Sequence, residues 1–235
     1  MEGTHVVVIG GTSGIGLAIA RGALREGAQV TIGARGAVRL SKTAAELGPA
    51  ASTGILDVTD ESSVRNFFEN KEGIDYLALC PGTQPMGSIY DIKADDVLRC
   101  LSTKLVGQLL CVRHAAPRMN RHGAIVLLAG SSGFRPVMGM SVSGAANAGV
   151  AAAGRTLALE LAPIRVNVLV PGMIATPGSF HVPHHGRSAL HDSAACLTPL
   201  GRIGSPEDVA TEVLHLFRSP YTTGLVHFVD GGALL

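Results

Sequence analysis

Short β-branched runs alternate with longer helix-forming stretches along the whole chain. "HVVVI", "QVTIG", "STGIL", "IDYLAL", "AIVLLA", "IRVNVLV" and "GLVHFV" follow one another, with "GLAIARGALREG" after the first run and the segment from Val38 to Leu47 after the second. Most of the runs are rich in Val, Ile and Leu, as strands buried on both faces are. Strands that alternate with helices join by crossovers and therefore lie parallel. The pattern predicts an α/β fold: a doubly wound, seven-stranded parallel sheet with helices on both faces.

At 235 residues, without a linker, repeat or low-complexity segment, the chain reads as a single domain over 1–235. Its 19 Lys+Arg balance 18 Asp+Glu, so the composition argues against nucleic acid or an anionic membrane as partner and leaves a small-molecule substrate. Cys80, Cys100, Cys111 and Cys196 are too far apart for a CxxC site, and read as reduced, buried thiols. No secretory signal is visible in "MEGTHVVVIGG", so the expected location is cytoplasmic. The uncharged stretch from Pro136 to Gly154 is too rich in glycine, serine and asparagine for a lipid-facing helix.

Chemistry enters at "GGTSGIG", between the first strand and the first helix. Gly10, Gly14 and Gly16 permit a tight turn, and Thr12, Ser13 and Ile15 complete a loop whose amides can approach a pyrophosphate at the positive end of a helix. This predicts a Rossmann-type nucleotide site. After the second strand stands "GARG", with Arg35 where a carboxylate would bind an adenosine ribose. An arginine there pairs with a 2′-phosphate, so NADP(H) is favoured over NAD(H).

Taken with "LDVTD" at 56, "IRVNVLVPGMIATP" at 164, "GSPEDVA" at 204 and "VDGG" at 229, these residues resemble the short-chain dehydrogenase/reductase family over essentially the whole chain. The resemblance implies that Asp57 and Val58 contact the adenine and that Gly82 adjoins the cofactor groove. It also implies that Pro171, Gly172, Ile174 and Thr176 bracket the nicotinamide, and that the protein is a homodimer or homotetramer. The stretch from Pro171 to Ser205 contains His181, His184, His185 and His191, lacks clear periodicity, and is the expected substrate loop (171–205).

The resemblance breaks at the family's Asn-Ser-Tyr-Lys tetrad. In "SVSGAAN" the tyrosine position is Ser143 and the lysine position is Asn147; the serine position is Gly130, beside Ser131 and Ser132, and the asparagine position is Lys104. An aliphatic hydroxyl has too high a pKa to replace an activated phenol, so Ser143 does not inherit the usual proton transfer. Lys104, Ser131, Ser143 and Asn147 are the candidate catalytic residues. The exchange of lysine and asparagine suggests that Lys104 enters the site from the opposite helix, donates to the ribose hydroxyls and is held by the Asn147 amide oxygen. Ile9 and Leu79 stand where the family has a strand-linking threonine and asparagine, and read as a paired apolar replacement. Three functions stay open: an atypical NADP(H)-dependent oxidoreductase acting on a small carbonyl or alcohol, a non-redox isomerase, dehydratase or cyclase, and a silent nucleotide-binding scaffold or sensor. A metal site is not expected, because adjacent His184 and His185 do not easily face one ion.

Overall fold

The computed structural model describes residues 1–176 and 198–235. Seven strands, β1 (His5–Ile9), β2 (Gln29–Ala34), β3 (Ala51–Ile55), β4 (Ile74–Leu79), β5 (Met119–Leu128), β6 (Arg165–Pro171) and β7 (Val226–Val229), form one sheet in the order β3-β2-β1-β4-β5-β6-β7. Every neighbouring pair is parallel, as the unbroken apolar runs require. The helices are α1 (Gly14–Arg25), α2 (Ala37–Leu47), α3 (Glu61–Glu69), α4 (Ala94–Leu101), α5 (Gly107–Ala115), α6 (Ser141–Glu160) and α7 (Pro206–Arg218).

Strand periodicity sorts the core into two layers. Val6 and Val8 of β1 pack with Ile19 and Ala23 of α1, Leu40 of α2, and Val213 and Phe217 of α7. Val7 and Ile9 face the other way, against Phe67 and Phe68 of α3, Val112 of α5 and Val150 of α6. Helices thus cover both faces, and each burial removes apolar surface from water at roughly 25 cal/mol per Å².

Ile9 and Leu79 are register partners across β1 and β4, and both are essentially inaccessible to solvent. The paired apolar replacement read from the sequence is therefore a direct cross-strand contact. Strand β5 begins at Met119, five residues before the apolar run that announced it: Met119 pairs with Ile74, the register then shifts, and most of "MNRHG" is exposed. Hydropathy gives no signal for such a segment.

Glycine spacing on α6 is used within the chain. A Cβ at Gly154 would stand 2.2 Å from Val168 Cγ2, one at Gly149 would stand 3.0 Å from Leu105 Cδ2, and one at Gly144 would stand 2.8 Å from the Ser132 carbonyl oxygen. Close packing onto β6, the Lys104-bearing segment and the turn after β5 accounts for these glycines. Among the described residues, no helix is long and apolar enough to cross a membrane.

Candidate active site

The strand order reverses between β1 and β4, which opens a crevice at the carboxyl ends of those strands. Gly10, with φ +83°, lies against the chain leaving β4, where its missing Cβ would stand 3.2 Å from the Cys80 carbonyl carbon. A Cβ at Gly16 would stand 2.4 Å from the Gly10 carbonyl oxygen, so this turn closes only without a side chain there. Ser13 is the residue before α1 and makes no capping bond with its side chain. The first-turn amides of Gly14, Ile15 and Gly16 consequently face the crevice without helical acceptors, beside partly exposed Thr12. This is a cradle for a pyrophosphate, and the residues present fit a dinucleotide.

Two further groups follow the cradle along the sheet. Arg35 is exposed just beyond β2 and has no carboxylate partner among the described residues. Asp57 uses one carboxylate oxygen, Oδ1, to accept from the Thr59 amide and hydroxyl at 2.9 and 2.8 Å, leaving Oδ2 for another donor. Val58 is buried beneath Gly107 of α5, which approaches so closely that a Cβ would stand 2.8 Å from the Val58 side chain.

On the other side of the crevice, Pro171 ends β6, and the Gly172 amide donates to the Val229 carbonyl at 3.0 Å. Gly172 packs on Asp230, Ile174 is buried and bridges to Gly204, and the Thr176 amide donates to the Ile174 carbonyl at 2.8 Å. Most of the expected substrate loop, including its four histidines, lies outside the described residues. Among the described residues no three His, Cys, Asp or Glu side chains are grouped to hold a metal.

Lys104 occupies a π-helical segment, Ser102–Val106, which joins α4 to α5. Widened turns of this kind re-aim side chains and concentrate at functional sites. Gln108 closes the widened turn, its Nε2 donating to the Lys104 and Leu128 carbonyls at 2.9 and 3.0 Å. The Lys104 side chain runs over Gly82, its Nζ 3.4 Å from the position a Cβ would take there, and donates to the Ala129 carbonyl at 3.1 Å. Burial pushes its ammonium pKa down to about 8, with the nearby Cys80 and Cys100 sulfurs pulling the other way.

The Ala129 carbonyl is available for a reason that lies in the sheet. Ala129 donates its own amide to the Leu169 carbonyl at 2.9 Å, and the next donor along that parallel ladder would be residue 171. Pro171 has no N–H to give. Lysine thus replaces the missing ladder donor.

Asn147 does not hold Lys104, contrary to expectation. Its Nδ2 donates to Ser132 Oγ at 3.0 Å, while its Oδ1 is buried without a partner. The nearest small positions explain its placement: a Cβ at Gly130 would stand 2.8 Å from Asn147 Nδ2, and one at Gly133 would stand 3.0 Å from Asn147 Cβ. Gly130 and Asn147 are therefore coupled sterically, a proximity that exists only after β5 and α6 pack.

Ser131 and Ser143 are not brought to the same point. Ser131 opens a 3-10 turn, Ser131–Gly133, and makes no side-chain hydrogen bond; the hydroxyl that meets Asn147 belongs to Ser132, one residue further round the turn. Ser143 is buried, its Oγ donating to the Pro85 carbonyl at 3.4 Å and lying beside the Cys100 thiol. The Cys100 thiol donates to the Thr83 carbonyl at 3.3 Å. Burial pushes the Cys80 thiol up to about 12, more than Lys104 beside it offsets, so Cys80 is a poor nucleophile. Tyr76 stacks on Phe217 with centroids 4.9 Å apart, while Tyr90 and Tyr221 are fully exposed; none approaches the Lys104 group.

Comparison with known proteins agrees with this architecture. A family profile described as enoyl-(acyl carrier protein) reductase matches residues 10–233. Carbonyl reductase family member 4 of Xenopus tropicalis is 33% identical over 97% of each chain, and the human 3-oxoacyl-(acyl-carrier-protein) reductase is 33% identical over the same share. A crystal structure of a small-chain dehydrogenase in complex with NADPH superposes with a TM-score of 0.86 at 31% identity, covering 98% of both chains. With the parallel sheet, the glycine cradle and this end-to-end likeness, the chain belongs to the short-chain dehydrogenase/reductase family.

Proposed function

We propose that this protein is an NADP(H)-dependent reductase of small carbonyl compounds in which Lys104 takes over the proton donation that a tyrosine performs in the usual tetrad. The observation that carries the reading is the Lys104 ammonium, turned inward over Gly82 at the carboxyl ends of β4 and β5 with a pKa near 8. When bound, the nicotinamide supplies a hydride. The glycine cradle and the α1 amides hold the pyrophosphate, and exposed Arg35 pairs with the 2′-phosphate. Gly82, Pro171, Gly172, Ile174 and Thr176 shape the groove for the ring and its ribose.

Asn147 fixes Ser132 as a donor toward substrate. By donating to Ser132 Oγ it occupies an acceptor lone pair and leaves the hydroxyl proton for the carbonyl oxygen. Lys104 then transfers a proton from Nζ to that oxygen as it gains negative charge, and remains tied to Ala129 as a neutral amine until solvent recharges it. A donor with a pKa near 8 is matched to neutral pH, which an ordinary lysine is not. Exposed Leu98, Val106 and Leu109 on the α4–α5 face support a homodimer or homotetramer.

The test is transfer of deuterium from C4-deuterated NADPH to a carbonyl compound. The label should appear in the alcohol product. Nucleotide binding without label transfer to any carbonyl in a broad panel would replace this reading with that of a nucleotide-binding sensor.

A further inference from the structure

Beside Ser132 the structure opens a cleft of about 870 Å³ between the segment after β4 and the segment after β5, roofed by the start of α6. Met86, Ile89, Val137, Met138 and Met140 make up most of its apolar wall, and Ser88, Ser132 and Ser141 supply its hydroxyls. No charged side chain lines it among the described residues. Three methionines on one wall form an adaptable surface, since thioether chains repack around different apolar shapes at little cost. A concave, largely apolar lining with a few hydroxyls is the ordinary form of a small-ligand site.

The sequence that follows the cleft's β4 side is net acidic: Asp91, Asp95 and Asp96 outnumber Lys93 and Arg99, and Arg99 is paired with Asp96. Arg135, next in sequence to the lining residue Pro136, donates to the Ala233 carbonyl at 2.8 Å. Among the described residues, a carboxylate held on this wall meets no counter-charge, and an unpaired charge is expensive to desolvate.

We infer that the substrate is an uncharged apolar ketone or aldehyde, taken up free, whose hydrocarbon body lies on the Met86–Met138 wall with its carbonyl toward Ser132. The inference rests on the reductase reading for the carbonyl, and on the cleft alone for the apolar body.

Binding separates the two. The NADPH-loaded protein is titrated calorimetrically with 2-tetralone, an uncharged bicyclic ketone, and with acetoacetyl-coenzyme A. 2-Tetralone should bind at least about tenfold more tightly than the coenzyme A thioester. Met86→Glu with Met138→Glu should weaken 2-tetralone roughly tenfold or more, while Met86→Leu with Met138→Leu keeps the wild-type affinity. These side chains are 63% and 97% exposed, so both variants should fold, and unchanged NADPH affinity confirms it. Equal or tighter binding of acetoacetyl-coenzyme A, absent 2-tetralone binding, or an affinity that the glutamates do not move overturns the inference. Tight binding of 2-tetralone without its reduction leaves the apolar site standing and removes the reductase reading instead.

Discussion

The two cations on which the proposed function rests, Arg35 and Lys104, are placed differently. Arg35 is exposed at the end of β2, where a guanidinium can pair with a phosphate at little desolvation cost. Arg35→Asp should remove about 1.5–3 kcal/mol from NADPH binding and reverse the preference toward NADH, as measured by calorimetry on both nucleotides. Equal affinities in the wild type would contradict this. Lys104 is held inside, and its position carries a cost. Its pKa near 8 in the folded protein lies below the ordinary lysine value of 10.5, so the unfolded chain binds the proton more tightly. Below pH 8 the full penalty is present; it disappears as pH rises from about 8 to about 10.5, and stability rises across that window. Lys104→Met removes this penalty but also leaves the Ala129 carbonyl without its donor, so the variant's stability relative to the wild type should fall by about 2 kcal/mol as pH rises from about 8 to about 10.5, ending below the wild type. Denaturant unfolding of both proteins across that range measures it, and a difference that does not change with pH would show that the ammonium is well solvated. The lysine's presence at the asparagine position was legible from the ordered motifs around it. Its inward direction was not, because that depends on Pro171 withholding a ladder donor two strands away.

At the level of elements, the sheet was read almost whole from its apolar runs, since buried parallel strands announce themselves by composition. What escaped were features set by neighbours. The early start of β5 lies in polar, largely exposed sequence before a register shift, and the π-helical turn around Lys104 has no composition of its own. Gly130 and Asn147 show the same limit, being related only through the contact of β5 with α6. The Ile9–Leu79 pair was anticipated because both members depart from the family together, and the register makes them partners. Leu79→Asn alone buries an amide against isoleucine and should cost about 3 kcal/mol or more. Adding Ile9→Thr supplies a hydroxyl partner, and the double variant should recover about 1 kcal/mol relative to the sum of the single changes. Simple additivity in a double-mutant cycle would mean that the two positions do not communicate.

For the molecule as a whole, the architecture is that of the family. The glycine cradle, the crevice between β1 and β4 and the turn after β6 are all present, which is why the fold could be read from the chain. Around the proposed site stand Lys104 between α4 and α5, tied to the Ala129 carbonyl, and Asn147 on α6, tied to Ser132. Fold alone does not specify what such a set does. Proton donation by Lys104 is the central proposal, and the pH dependence of NADPH oxidation by the holoenzyme with 2-tetralone tests it most directly. The rate should fall as pH rises through about 8, as the donor loses its proton, and Lys104→Met should lose the activity by roughly 100-fold or more. A wild-type rate that stays level through that pH, together with undiminished turnover by Lys104→Met, would contradict the account.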